Sequence, residues 1–443
     1  MSNLTTFLKV LVVVLLAGVA LLPPVSVAPP VAEGQRFGPA SLDVQDGWVR
    51  LTVEGNPYEM GLQQGVLLRP ELRDLIAGSL YPSLLASNIS VQDARRYARL
   101  VWPRLPLPLR EEMQGIAEGA ALSLEDVLLW NLRADLLALG PDLPDVLRDF
   151  ALLREPQQPL TVERQSALVR ALPEERQPWP SPLSPLWSGS SPSLTQTGTL
   201  ALALWGEATH EGQPWLGAVL AAPPGGERFM LVLRRPTEGS AIMGLALPGQ
   251  VGLQAGQNAA GLTLLLTPFQ SIDRAFDGLP AALLVRQTLG QAQGREEAVT
   301  FLLNAPRSGG SSLLVADAAG DEVTRLDLSA RQFHPVPAEG DTLLALGAPL
   351  EGPLSASTQP LRLPEGPQRG RLATWLRANQ GVASRAGLQA LLSEPLVVGE
   401  RGAVTLLLSP TDTTFWLAQA AEGHPAPASG WIELDLGEWL QND

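Results

Sequence analysis

"TGTLALALWGEATHEGQPWLGAVLAAPP", residues 197–224, is the stretch whose reading decides the fold. From Thr199 to Trp205 a small or polar residue alternates with a large apolar one, the period of a strand with two different faces. Thr209–Gly212 is polar and glycine-containing and predicts a turn. Trp215–Leu220 predicts the returning strand of a hairpin. Thr199 heads this hairpin directly after Gly198. A hydroxyl residue there has two readings: a nucleophile exposed when the chain cuts itself before it, or merely the first residue of a strand.

Upstream, "PEERQPWPSPLSPLWSGSSPSLTQTG" is rich in Pro, Ser and Gly, and residues 141–198 as a whole read as a linker or insertion. Before it, residues 45–140 are mainly helical in pattern. A strand at Trp48–Val53 and a turn at Gly55–Pro57 lead into a helix from Tyr58. In that helix Gly61 and Gly65 lie four apart, on one face, where a second element can pack closely. Helices follow at Val91–Trp102, Pro108–Ala120 and in "SLEDVLLWNLRADLLALG", with Ser123 as N-cap, Asp126 three residues on, and Gly140 as stop. After Thr199 the texture turns strand-rich, as in "RFMLVLRR", "GLTLLL", "SSLLVAD", "EVTRLDL", "AVTLLL" and "WIELDL". Helical patterns interrupt it at Leu279–Leu289, Arg295–Leu303, Gly370–Asn379 and Arg385–Leu392. Runs of strands with grouped helices predict an α+β class, with 199–443 as a strand-rich core.

The chain has 443 residues, 45% hydrophobic and 17% charged, enough to bury a large core. Its net charge of −14 excludes a nucleic-acid partner, which needs a basic footprint. With no cysteine, disulfides, thiolate metal sites and a Cys nucleophile are excluded. The three histidines, His210, His334 and His424, are far apart and carry no metal-ligand spacing, so neither a metal nor a cofactor is expected. The first residues, "MSNLTTFLKVLVVVLLAGVALLPPVSVAPP", place Lys9 before an uncharged apolar run. Residues 1–32 therefore read as a signal peptide or a membrane anchor, with Pro29 after "SVA" favouring the uncleaved anchor. The expectation is an exported protein, secreted or on the outer side of the membrane and joined to it through this segment.

Several segments in chain order carry a family resemblance. "GNPYEMGLQQG" and "EEMQGIAEGAALSLEDVLLWN" resemble stretches of the acyl-coenzyme A:6-aminopenicillanic acid acyltransferase-like family, as do "PGQVGLQAGQNAAGLTLLL", "DGLPAALLVRQTL", "LLVADAAGDEVTRLDLS" and "TDTTFWLAQA". The resemblance spans roughly residues 45–440. It implies an N-terminal-nucleophile (Ntn) hydrolase fold: a four-layer αββα sandwich with an N-terminal helical region. It also implies autoproteolysis, after which the new N-terminal residue attacks an amide or thioester with its own α-amino group as base. The substrate or ligand implied is a small acylated or amide compound.

Aligned on "ALWGEAT", the family's Gly-Cys falls on Gly198 and Thr199, which makes Thr199 the candidate nucleophile. Ala218, Val219, Leu220 and Ala221 stand where the family carries R-N-x-D, and Gly347 stands where it carries an oxyanion-hole Asn. Asn258 matches the family's substrate-facing Asn. Arg369 matches its late Arg, with Arg371 an equal alternative in register. Each has a plain structural reading too: Asn258 as a turn residue, Arg369 as a surface residue opening a helix. Two functions stay open. One is an amide hydrolase or acyltransferase acting through Thr199. The other is a catalytically degenerate homologue that binds acyl ligands or a partner, with an apolar pocket beside Asn258.

Overall fold

The computed structural model describes residues 35–152, 199–221, 228–269, 271, 273–275, 278–320, 322–345, 366–399, 402–420 and 430–441. The apolar run at residues 10–28, most of the 141–198 stretch, Gly347 and His424 lie outside them.

An antiparallel hairpin, β1 (Gln35–Phe37) and β2 (Ala40–Gln45), opens the described chain and pairs with β3 (Trp48–Gly55). The helix Pro57–Leu67 follows. Asn56 caps it by accepting from the Glu59 amide, and Glu59 answers by accepting from the Asn56 amide, a complete capping box. Val91–Val101, Leu107–Ala120, Leu124–Asn131 and Arg133–Leu139 are helical, as the periodicity predicts. Ser123 caps its helix at 3.1 Å, and the chain turns at Gly140. One difference follows immediately. Leu143–Leu152, inside the stretch read as a linker, is a helix, because Leu143 and Leu147 find a core to bury in.

The hairpin that opened the sequence analysis is β4 (Leu200–Leu204) and β5 (Trp215–Ala221), paired Leu200 to Val219 through Leu204 to Trp215. Then come β6 (Met230–Pro236), β7 (Ile242–Ala246), β8 (Ala255–Asn258), β9 (Thr263–Pro268), β10 (Ser311–Ala316), β11 (Thr324–Leu328), β12 (Phe333–Val336), β13 (Thr342–Ala345), β14 (Gly402–Ser409), β15 (Thr414–Gln419) and β16 (Ile432–Asp435). They form two sheets. The larger has the order β1-β2-β3-β6-β7-β8-β9-β10-β11-β12, and the smaller β13-β4-β5-β14-β15-β16. Neighbours are antiparallel except β3 and β6, which run parallel after the long helical crossover between them.

Side-chain alternation sorts the layers. Leu200, Leu202 and Leu204 pack outward with Leu372, Leu388 and Leu391 of the helices Gly366–Ala378 and Arg385–Leu392. Ala201 and Ala203 face the other way, into the main core. There β4 packs on β9 and β13 on β10, so the two sheets lie face to face. Beyond the large sheet lie the helices Ala281–Gln291 and Arg295–Asn304, and the N-terminal helices near β3 and β6. The result is helix, sheet, sheet, helix. The large sheet is covered on both faces, so Met230–Leu233 is buried without a break.

The helices Pro57–Leu67 and Leu107–Ala120 touch backbone to backbone. A Cβ built on Gly61 would overlap the Glu112 carbonyl, and one on Gly115 would overlap that of Tyr58. The small-residue face seen in the sequence is this crossing.

Candidate functional site

Thr199 directly precedes β4 and continues the alternation of Ala201 and Ala203, whose side chains lie between the sheets. It is buried, and its hydroxyl accepts a hydrogen bond from the Ala221 amide at 3.4 Å. That bond closes the open end of the β4–β5 ladder. The strand alongside carries Ala218, Leu220 and Ala221, all buried and apolar. No carboxylate, imidazole or amine hydrogen-bonds Thr199 among the described residues. A hydroxyl becomes a useful nucleophile only when a base within hydrogen-bond reach takes its proton.

Asn258 ends β8 and is fully buried. Its amide nitrogen donates to the carbonyls of Leu289 (3.0 Å) and Ala292 (2.8 Å). Its oxygen accepts from the amides of Ala260 (3.0 Å) and Leu262 (3.1 Å). Both donors and both acceptor directions are therefore used. The residue ties the β8–β9 turn to the end of the helix Ala281–Gln291. It has no capacity left to face a substrate, and it lines none of the three cavities described below. The expected apolar pocket beside it is not among them.

Arg369 is exposed on the helix Gly366–Ala378, outside the small sheet. Its alternative, Arg371, pairs with Glu394 through both carboxylate oxygens, one at 2.6 Å. Each partner holds the other charged: the Arg371 guanidinium is raised and the Glu394 carboxyl lowered. Thr199, Asn258 and Arg369 thus belong to three different layers, and the structure does not gather them into one centre. The spacing along the sequence could not reveal this, because each residue answers to a different neighbour.

Three cavities take shape elsewhere. One, of about 600 Å³, lies where β12, the last strand of the large sheet, approaches β13 of the small one. Its floor is the buried pair Arg325–Asp327, bidentate at 2.9 and 2.8 Å, and Arg325 also donates to the Leu344 carbonyl. Arg369 and His334 line it. A second, of about 640 Å³, is floored by Trp215 and Trp416, whose ring centroids are 5.5 Å apart. His210 lines this one, so His210 and His334 serve separate clefts. The third, of about 120 Å³, lies between the helix Arg133–Leu139, the end of β9 and the start of the helix Ala281–Gln291. Tyr97, Asp135, Arg274 and Ser308 gather there, and Ser308 donates to the Asp135 carboxylate at 2.6 Å. Burial raises the Asp135 carboxyl and the Tyr97 phenol and lowers the Arg274 guanidinium. Sequence reasoning missed this group. Asp135 and Ser308 are 173 residues apart; Asp135 lies in a stretch legible only as a helix, and Ser308 in no recognisable pattern.

A further buried charge cluster joins the layers. Glu112 accepts from Arg234 at 2.9 Å and attracts Arg286 at 3.9 Å. Burial pushes the Arg286 guanidinium down to about 10, with Glu112 opposing the shift. All three lie in stretches that carry the family resemblance or the strand pattern. Among the described residues no group of His, Cys, Asp and Glu suits a metal ion, and no helix is long and apolar enough to cross a membrane.

Residues 224–331 match the family described as acyl-coenzyme A:6-aminopenicillanic acid acyl-transferase. The match contains three of the motifs quoted above. An uncharacterized protein of Archaeoglobus fulgidus is 24% identical over 310 residues. That alignment takes in 66% of this chain but 45% of the relative, so the chain spans under half of that protein's length. Among solved structures, a conjugated bile acid hydrolase from Clostridium perfringens is similar with a TM-score of 0.38 and 11% identity, over 54% of this chain and 93% of that one. An N-acylethanolamine-hydrolyzing acid amidase orthologue from Caenorhabditis elegans gives 0.36 and 14%, over 48% and 93%. Penicillin V acylase from Agrobacterium tumefaciens gives 0.34 and 13%, over 54% and 86%.

Proposed function

We propose that this acyltransferase-family chain is a binding protein for small acylated or amide ligands. In this reading it stays uncut at Gly198–Thr199, and Thr199 is a structural residue. One observation carries the proposal: among the described residues the Thr199 hydroxyl meets only the Ala221 amide, beside a strand whose residues at the family's Arg and Asp positions are apolar. Losing a single oxyanion donor typically costs about 10²–10³ in rate. Here the orienting Asp and Arg are replaced as well, and such losses compound without adding simply. The apolar run at residues 10–28 supports an exported, membrane-tethered setting for this activity. Cell fractionation tests that part, and unprocessed chain recovered wholly in the cytosol would contradict it.

The catalytic question is tested by incubating the purified full chain and Thr199→Val with fluorogenic acyl amides of several chain lengths. The expected result is no release above buffer from either protein, with binding of acylated probes equal in both. Release by the native chain that disappears in Thr199→Val would reverse the proposal and make Thr199 a working nucleophile.

A further inference from the structure

The cavity beside Asp135 has a charge arrangement that a simple packing defect does not. A carboxylate and a guanidinium share about 120 Å³ and attract one another, yet make no direct ion pair. Ser308 donates to one oxygen of Asp135. Arg274 commits its Nε to the Ser271 carbonyl at 2.8 Å, and its terminal nitrogens donate to no described residue. Beside them, Pro280, Ala281 and Ala282 line the cavity, and they begin a helix with no side-chain cap. The amides of an uncapped first turn have no partner within the helix and favour negative charge. The remaining wall is mixed: Leu139, Leu266 and Phe269 give it an apolar part, and Asn131, Gln250 and Gln254 line it too. At its edge Ala134 is exposed, which gives a route in.

We propose that this cavity binds a small zwitterionic α-amino acid, with its ammonium beside Asp135 and its carboxylate beside Arg274 and the first turn of the helix Ala281–Gln291. Its side chain lies on the apolar part of the wall, at Leu139, Leu266 and Phe269. Desolvation works against both protein charges, which attract one another, with Asp142 also attracting Arg274. No direct ion pair forms between Asp135 and Arg274, however, and a ligand bearing both opposite charges contacts both at once. A simple amine or a simple acid makes direct contact with only one of them. The volume equals that of about four waters, so the ligand is of alanine size, and an indole does not fit. The site lies on the helical side of the large sheet and does not depend on Thr199.

Titration calorimetry on the full chain tests this with L-alanine, with propionate and ethylamine as its two halves, and with L-tryptophan as the oversized control. Saturable binding of alanine alone is expected. Asp135→Asn and Arg274→Gln should each weaken it by at least about tenfold, as loss of one partner in a buried charge pair does. Ala138→Leu, which fills the cavity without touching a charge, should abolish binding while the protein still unfolds cooperatively. Thr199→Val should bind as the native chain does. The proposal fails if alanine shows no saturable binding, if either half binds as well as alanine, or if Ala138→Leu binds undiminished.

Discussion

The β4–β5 end of the small sheet and the helix-covered side of the large sheet treat polar groups in opposite ways. Around Thr199 the neighbours are apolar: Ala218, Leu220 and Ala221 are buried, and the Thr199 hydroxyl accepts one hydrogen bond from a backbone amide. Across the molecule, Glu112, Arg234 and Arg286 form an ion cluster in the interior, and Asp135 and Arg274 share a cavity. Both regions are compatible with the same architecture. Packing holds the small sheet, and a surface made of Ala and Leu packs at least as well as one that also does chemistry. The buried charges are different. Once inside, each needs its partner, because removing one leaves the other desolvated and alone. Architecture therefore survives at the position where catalysis would begin, while charge pairs that join layers are held in place.

The sharpest way to break this contrast is Glu112→Ala. It leaves the fully buried Arg234 without its carboxylate and Arg286 without its attraction. A loss of about 3–5 kcal/mol is expected, measured by denaturant unfolding; a loss under 1 kcal/mol would mean the cluster is solvated and the contrast false. Asn258→Ala comes next. It strands two carbonyls and two amides that the side chain now serves. At about 1–3 kcal/mol for a buried group left unpaired, a loss of at least 2 kcal/mol is expected, with the Asn258→Asp variant also destabilised because it cannot donate to Leu289 and Ala292. An unchanged midpoint with altered ligand binding would instead make Asn258 a substrate-facing residue. Thr199→Val should have the smallest effect, about 1 kcal/mol for a single long hydrogen bond, read from the same unfolding curves. A larger loss would show that the strand head bears more of the fold than its one contact suggests.

Much of the architecture was legible because its causes are local. The β4–β5 hairpin follows from a two-residue alternation, and the helix start at Leu124 follows from its Ser123 cap; Asn56 and Ser384 cap their helices too, but only the structure shows it. Gly61 and Gly65 announced a close crossing, although nothing in the sequence named Leu107–Ala120 as the partner. What stayed hidden is non-local. The parallel pairing of β3 with β6 joins strands on either side of the helical region. Glu112 meets Arg234 across 122 residues, and neither position departs from an ordinary helix or strand pattern. Asn258 was legible as a family position and as a turn residue, but its donation to a helix end more than thirty residues away was not. The same holds for Thr199: the sequence pointed to the strand head, and only the fold supplies the Ala221 amide that donates to its hydroxyl.

The central claim, that Thr199 opens a strand and does not cut the chain, is tested most directly by the intact mass of the purified full-length protein after prolonged incubation. An uncut Gly198–Thr199 bond is expected, with the native chain and Thr199→Ala giving the same pattern. Two fragments meeting between Gly198 and Thr199, absent in Thr199→Ala, would contradict it.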